Sequence, residues 1–152
     1  MTKSFDLLLK GARAVTPGGI VEADIAVKDG LIAKIGTVPA AAAAEEIDCT
    51  GLHILPGVID TQVHFREPGL THKEDLATGT LSAIAGGVTT IFEMPNTSPL
   101  TLTQNDFHDK LHRAAGRAWC NYAFFIGGSA ENADKLAELE VLPGCSGVKV
   151  FM

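Results

Sequence analysis

The sequence is poor in several features that mark particular classes of protein. Its three cysteines, Cys49, Cys120 and Cys145, are far apart and form no Cys-x-x-Cys pair, so each is interpreted as a reduced, partly buried residue. Basic residues are outnumbered, 12 against 18 acidic ones, and the net charge of −6 argues against a nucleic-acid or anionic-membrane partner. The apolar run near Met1 is too short for a signal peptide or a membrane span. A cytoplasmic location is therefore expected.

The first third of the chain has the pattern of a small β domain. Hydrophobic residues make up 46% of the chain and charged residues 20%, as is typical of globular proteins. Extended stretches are predicted on both sides of Asp29-Gly30, which favours a tight hairpin because glycine accepts a positive φ. Gly11 is expected to break the first strand, and Ala40 to Ala44 to form a link. We predict that residues 1–55 form a small N-terminal β domain.

From Pro56-Gly57 onward, predicted strands alternate with predicted helices. The strands cover 58–65, 88–94, 121–126 and 147–152, and the helices cover 74–85, 103–117 and 131–142. Leu76, Leu81 and Ile84 are expected on the buried face of the first helix. Thr103 with Asp106 predicts a capping box at the start of the second. Alternation of this kind indicates a parallel sheet with helices outside it.

The spacing of these elements is that of a TIM barrel, a closed (β/α)₈ sheet. Four strands and three helices make half of such a barrel, which needs roughly 250 residues when complete. We therefore expect residues 56–152 to form the first half of a barrel. The chain ends within an apolar strand, so we expect it to be part of a longer protein. An open four-stranded α/β domain is the alternative.

The first of these strands carries an unusual row of polar residues. Because side chains alternate along a strand, one face is expected to present Asp60, Gln62, His64 and Arg66. Polar groups are costly to bury without partners. Pro68-Gly69 ends the strand directly after them. That places His64 and Arg66 near the carboxyl end of a barrel strand, where enzymes with this fold build their active sites.

Three motifs together resemble the dihydroorotases of the amidohydrolase superfamily. Residues 56–69 are similar to the family's metal-binding first strand and its continuation. Glu93-Met94-Pro95-Asn96-Thr97 resembles the substrate loop after the second strand, and residues 147–152 resemble the fourth strand, which carries a carboxylated lysine. The resemblance covers essentially the whole chain. It implies an α/β protein in which part of a small β-sandwich precedes the first half of a TIM barrel.

The resemblance assigns roles to four residues. His64 would bind zinc through an imidazole nitrogen, and Arg66 and Asn96 would hold the carboxylate of dihydroorotate. Lys149 would be the catalytic, metal-bridging residue. Its pKa should fall in a buried strand, and the neutral amine can then add carbon dioxide. The alternatives are that Asn96 is only a turn former and that Lys149 extends to the barrel mouth.

Gln62 departs from the family's pattern. The first strand usually reads His-x-His, and both histidines bind one metal, whereas glutamine is a weak zinc ligand. The site is therefore expected to hold two zinc ions with altered coordination, to hold only one, or to belong to an inactive homologue. Asp60 either orients a metal ligand or accepts hydrogen bonds from backbone amides.

The reaction implied by the resemblance is the reversible hydrolysis of dihydroorotate to N-carbamoyl-L-aspartate in pyrimidine biosynthesis. Further ligands and the proton-shuttling aspartate follow later strands of the family's barrel, so residues 1–152 alone are expected to be inactive. A homo-oligomer is expected. Two alternatives are a non-catalytic dihydroorotase-like subunit that scaffolds aspartate carbamoyltransferase, and an allantoinase or hydantoinase, whose substrates lack the carboxylate.

Overall fold

The N-terminal unit is built around one long strand, β1. In the computed structural model, which describes residues 3–39 and 42–151, the chain divides into two units, Met1–Pro56 and Gly57–Met152. The first unit holds a five-stranded sheet in the order β3-β2-β1-β4, and β5 also pairs with β1. The strands are β1 (Phe5–Thr16), β2 (Gly19–Lys28), β3 (Leu31–Gly36), β4 (Ala43–Asp48) and β5 (His53–Ile54).

Gly11 makes a bulge in β1 rather than the predicted break. Its φ is +70°, and the register with β2 shifts between Leu9 and Ala12. The carboxylate of Asp24 accepts the amide of Gly11 at 2.9 Å and the amide of Val38 at 2.9 Å. The first of these hydrogen bonds satisfies a backbone amide that the bulge would otherwise leave without a partner. The strand therefore continues through the glycine.

The predicted hairpin at Asp29-Gly30 is confirmed. Both residues have a positive φ, 52° and 75°, as a two-residue turn between twisted strands requires. The predicted alanine link is wrong in its second half, because Ala43 begins β4, which runs parallel to β1. Its neighbours Ala40 and Ala41 lie outside the described residues.

The C-terminal unit has the predicted parallel sheet. Four strands lie in the order β6-β7-β8-β9, and all three neighbouring pairs are parallel. The strands are β6 (Val58–Val63), β7 (Val88–Glu93), β8 (Asn121–Gly128) and β9 (Cys145–Val150). The helices are α1 (Leu76–Ala85), α2 (Gln104–Ala114), a 3₁₀ turn (Ala133–Lys135) and α3 (Leu136–Leu139). No helix in residues 3–39 and 42–151 is long and apolar enough to cross a membrane.

Helices and sheet of this unit enclose one apolar core. Its buried members are Leu76, Phe107, Ala114, Phe124, Ile126 and Leu139. The prediction that Leu81 and Ile84 face inward is wrong, since they are 47% and 38% exposed. The buried face of α1 instead presents Leu76, Gly79 and Thr80, because the small Gly79 lets the helix approach Phe65.

The two later helices differ in how well their sequences predict them. The capping box of α2 is confirmed, with the Thr103 side chain bonded to the Asp106 amide and the Asp106 side chain bonded to the Thr103 amide. The third helix is shorter than predicted. Asn132 bonds to Ser129 and to the carbonyl of Gly127, so residues 129–132 form a turn and the helical segment begins only at Ala133.

Candidate active site

The predicted site residues lie at one edge of the parallel sheet. Because β6 to β9 are parallel, their carboxyl ends meet at the same edge. His64 directly follows β6, Asn96 lies three residues after β7, and Lys149 is the penultimate residue of β9. The amide of Met94 donates to the carbonyl of Val63 at 3.0 Å and ties the first two loops together.

His64 and Asn96 are in direct contact. The Nδ1 atom of His64 lies 2.8 Å from Oδ1 of Asn96, and both side chains are half-buried. A carbonyl oxygen only accepts, so Nδ1 carries the proton and donates it, which leaves a lone pair on Nε2. Metal-binding histidines are commonly oriented by a hydrogen bond of this kind from the other ring nitrogen. Asn96 is therefore more than a turn former.

Arg66 lies outside the strand on which alternation placed it. The strand β6 ends at Val63, and Arg66 has a φ of 68°, so the predicted shared face stops before it. Its amide donates to Oε1 of Glu93 at 3.1 Å. The half-buried guanidinium has no hydrogen-bond or ion-pair partner within residues 3–39 and 42–151. Its planar fork is thus free to bind an anionic group.

The side chains of Asp60 and Gln62 are exposed. Oδ1 of Asp60 accepts a hydrogen bond from the amide of Gln62 at 3.0 Å. This hydrogen bond is of the kind that the second interpretation of Asp60 expects, a side chain that satisfies a backbone amide.

Lys149 is half-buried, whereas a buried position was predicted. It pairs with Gly127 in the sheet, and its Nζ atom lies 5.4 Å from the centroid of the Phe151 ring. Among the described residues no hydrogen bond or ion pair joins it to His64. The structure therefore brings His64 and Asn96 together, and places Lys149 at the same sheet edge on another strand.

The donors in this part of the chain make an incomplete metal site. No group of three or more His, Cys, Asp or Glu residues that could hold a metal occurs in the part of the chain that the structure describes. His64 fits the part of one imidazole ligand, because its Nε2 lone pair is free and its ring is oriented by Asn96. A metal bound by His64 would need further ligands.

Comparison with known proteins decides the family. Residues 53–149 match the model of the Amidohydrolase family. The chain belongs to this family. It is 41% identical to an allantoinase of Deinococcus radiodurans over 98% of its length, and 39% identical to a dihydroorotase of Trichlorobacter lovleyi over 94%. It spans 33% and 35% of those two relatives, so it corresponds to about a third of their length.

Solved structures agree with this assignment. An L-hydantoinase from Arthrobacter aurescens superimposes with a TM-score of 0.85 at 36% identity, over 95% of this chain and 32% of that one. A D-hydantoinase from Bacillus sp. AR9 gives 0.82 at 32% identity, over 97% and 33%. The predicted fold, the first half of a TIM barrel preceded by part of a β-sandwich, is confirmed. The relatives carry three different enzyme names, so the predicted resemblance holds at the level of the amidohydrolase family.

Two ion pairs of this amidohydrolase, the first of them fully buried, were not predicted from the sequence. Lys110 lies 2.7 Å from Glu93, and both side chains are essentially without solvent contact. The sequence does contain a signal for this pair. Lys110 falls three residues after Phe107 and four before Ala114, on the apolar face of α2, and a lysine there needs a buried partner.

The second pair connects the loop after β6 to the start of α1 and to the segment that follows α2. Oε1 of Glu67 lies 2.7 Å from Arg117 Nη1, and Oε2 accepts the amide of Leu76 at 2.9 Å. The hydrogen bond that Arg117 donates to the Glu67 carboxylate raises the pKa of Arg117 above its usual value. Glu67 itself is buried directly after Arg66, and its hydrogen bond with the Leu76 amide joins the beginning of this loop to its end.

A cavity of about 460 Å³ lies beside this edge of the amidohydrolase sheet. It is formed by the start of α2 and the segment after β8, with Thr103, Gln104, Ser129 and Lys135 among its lining residues. None of the predicted site residues lines it. The cavity is therefore a separate feature from the His64–Asn96 contact.

Proposed function

We propose that the full-length protein hydrolyses a cyclic amide that bears a carboxylate, with dihydroorotate as substrate and N-carbamoyl-L-aspartate as product. The observation that carries the proposal is an unpaired, half-buried guanidinium, Arg66, two residues from an imidazole that Asn96 orients. A guanidinium binds a carboxylate through two parallel hydrogen bonds. A cyclic amide without a carboxylate would leave the Arg66 guanidinium without a partner.

Asn96 has a second function in this proposal. Its Oδ1 is occupied by His64, but its Nδ2 still has two N–H donors. Those donors are available to the substrate's carboxylate beside Arg66. The same amide would thus orient a metal ligand and hold the substrate, which fixes their relative positions.

Hydrolysis breaks the C–N bond of the ring amide with one molecule of water, so that the carbonyl carbon gains a hydroxyl group and the nitrogen gains a proton. We propose that His64, through Nε2, and Lys149, as a carbamate, are zinc ligands in the full-length protein. A bound zinc ion lowers the pKa of water and polarises a carbonyl. Residues beyond this third of the protein would supply the other ligands and the proton-transfer group.

Turnover of three substrates by the purified full-length protein tests the proposal. Dihydroorotate is expected to be hydrolysed, and allantoin and hydantoin much less. Arg66→Gln should raise KM for dihydroorotate about tenfold or more and leave any slow hydrolysis of a neutral ring unchanged. Residues 1–152 alone are expected to be inactive and serve as the blank. Efficient hydrolysis of allantoin without hydrolysis of dihydroorotate would refute the substrate assignment.

Two other functions have an observation in their favour. Similarity to the Deinococcus radiodurans allantoinase over 98% of the chain favours allantoin as the substrate. The turnover assay with three substrates tests this alternative.

Gln62, a weak metal ligand, favours a non-catalytic subunit that scaffolds aspartate carbamoyltransferase. Less than one zinc ion per full-length chain, with co-sedimentation with that enzyme, would support the scaffold. The same sedimentation run reports whether the protein is the homo-oligomer that we propose.

A further inference from the structure

A buried ion pair lies directly behind the two loops of the candidate site. Lys110 Nζ is 2.7 Å from Glu93 Oε2, and the side chains are 0% and 1% exposed. Burial raises the pKa of Glu93 and lowers that of Lys110, while each charge opposes the shift of the other. The Lys110 ammonium also lies 4.9 Å from the centroid of the Phe124 ring. The pair is thus enclosed by protein on all sides.

Each member of the pair holds a backbone atom of a different loop. Oε1 of Glu93 accepts the amide of Arg66 at 3.1 Å, and Arg66 is one of two non-glycine residues with a positive φ in the part of the chain that the structure describes. Nζ of Lys110 donates to the carbonyl of Met94 at 2.9 Å, two residues before Asn96. One pair of charges therefore contacts both loops.

Stability alone gives little reason for such a pair. Removing two charges from water costs several kcal/mol per ion, and an apolar pair of similar volume is often as stable or more so. A left-handed backbone at arginine also has a cost, and it persists only where the surroundings enforce it. The hydrogen bond from Arg66 to Glu93 is such an enforcing contact.

We propose that Glu93 and Lys110 are positioning residues for the site, in which Glu93 sets the backbone of Arg66 and Lys110 sets the Met94–Asn96 segment. Neither residue contacts the substrate in this arrangement. The inference rests on the proposed function only in treating these two loops as substrate-binding. The geometry that it assigns is measurable without any activity.

Two double variants of the full-length protein, both without the two charges, distinguish a positioning role of Glu93 and Lys110 from a role in packing alone. E93Q/K110Q removes both charges but keeps an acceptor for the Arg66 amide and a donor for the Met94 carbonyl. E93L/K110M also removes both charges, at similar volume, and keeps neither hydrogen bond. Amide hydrogen exchange of the peptides that contain Arg66 and residues 94–97 is compared with that of β8, and KM and kcat are measured for dihydroorotate.

The amide of Arg66 is expected to exchange its hydrogen about tenfold faster in E93L/K110M than in E93Q/K110Q, while amide exchange in β8 is the same in both variants. E93L/K110M should also raise KM about tenfold with a smaller effect on kcat. Equal protection of Arg66 in the two variants would overturn the inference. Absence of turnover in the unmodified protein would refute the proposed function alone, because the exchange result stands by itself.

A third variant covers the case in which E93L/K110M does not fold. E93Q/K110M keeps the acceptor for Arg66 and lacks only the donor to Met94. Faster exchange is then expected in residues 94–97, with Arg66 still protected. Unchanged exchange in both loops would refute the inference as firmly as the first comparison.

Discussion

His64 and Asn96, which are 32 residues apart in the chain, meet at 2.8 Å at the carboxyl edge of the parallel sheet. The contact sets the tautomer of the imidazole, because Asn96 Oδ1 accepts the proton of Nδ1. Nε2 is then the only ring nitrogen with a free lone pair. In the proposed function, a residue assigned by resemblance to the substrate would thus also orient a metal ligand.

Replacement of Asn96 by alanine is expected to weaken zinc binding by the full-length protein about 10- to 100-fold. The ring of His64 would lose its orienting acceptor, and both tautomers would become available. Chelator competition measures the zinc affinity. Asn105→Ala, at an exposed asparagine on α2, is the matched control and should leave the affinity unchanged. Equal zinc affinities for the two variants would show that the contact does not orient a ligand.

Gly79→Ala is expected to destabilise the protein although alanine favours helices. A Cβ at this position would lie 2.5 Å from Cδ1 of Phe65. Overpacking of this kind costs about 1–3 kcal/mol, whereas the gain in helix propensity is about 1 kcal/mol. Urea unfolding measures the balance. In a Phe65→Leu background the same substitution should become stabilising, and Ser82→Ala on the exposed face of α1 controls for propensity alone. Stabilisation by Gly79→Ala with Phe65 intact would contradict the packing argument.

The parts of the fold that local rules determine were predictable, and those that depend on distant partners were not. The Asp29-Gly30 hairpin and the α2 capping box are specified by neighbouring residues, so their sequences predict them. The inward face of α1 depends on Phe65, which lies on another segment. The contact between His64 and Asn96 and the pair of Glu93 with Lys110 need the register of two strands and a helix. A sequence motif can identify such residues, but it does not show which of them are in contact in the folded protein.

The stability contributed by Asp24 is expected to depend on pH. The amides of Val38 and Gly11 hydrogen-bond to its carboxylate and lower its pKa. A lowered pKa in the folded state means that the contribution is present above the ordinary pKa of about 4 and is lost as pH falls through the lowered value. Asp24→Asn should therefore cost about 1–3 kcal/mol at pH 7 and progressively less below pH 4.

Urea unfolding at pH 7 and at about pH 3 measures the difference between the native protein and Asp24→Asn. Glu22→Gln, at an exposed carboxylate on the same strand, is the control and should have little effect at either pH. A cost of Asp24→Asn that is the same at both pH values would show that the charge of the carboxylate is not what the two amides stabilise.

Gln62→His is expected to raise the zinc affinity of the full-length protein. Gln62 and His64 are two residues apart, and the predicted pattern of the family has imidazoles at both positions. The substitution leaves the backbone amide that bonds to Asp60 in place, so the local strand should be unaffected. A second imidazole beside the oriented Nε2 of His64 adds a far better zinc donor than an amide. Thr61→His, which points to the opposite side of the strand, adds the same group where it cannot reach the metal. Equal zinc affinities in the two variants would mean that position 62 does not face the metal, and glutamine there would then have no bearing on whether this amidohydrolase is active.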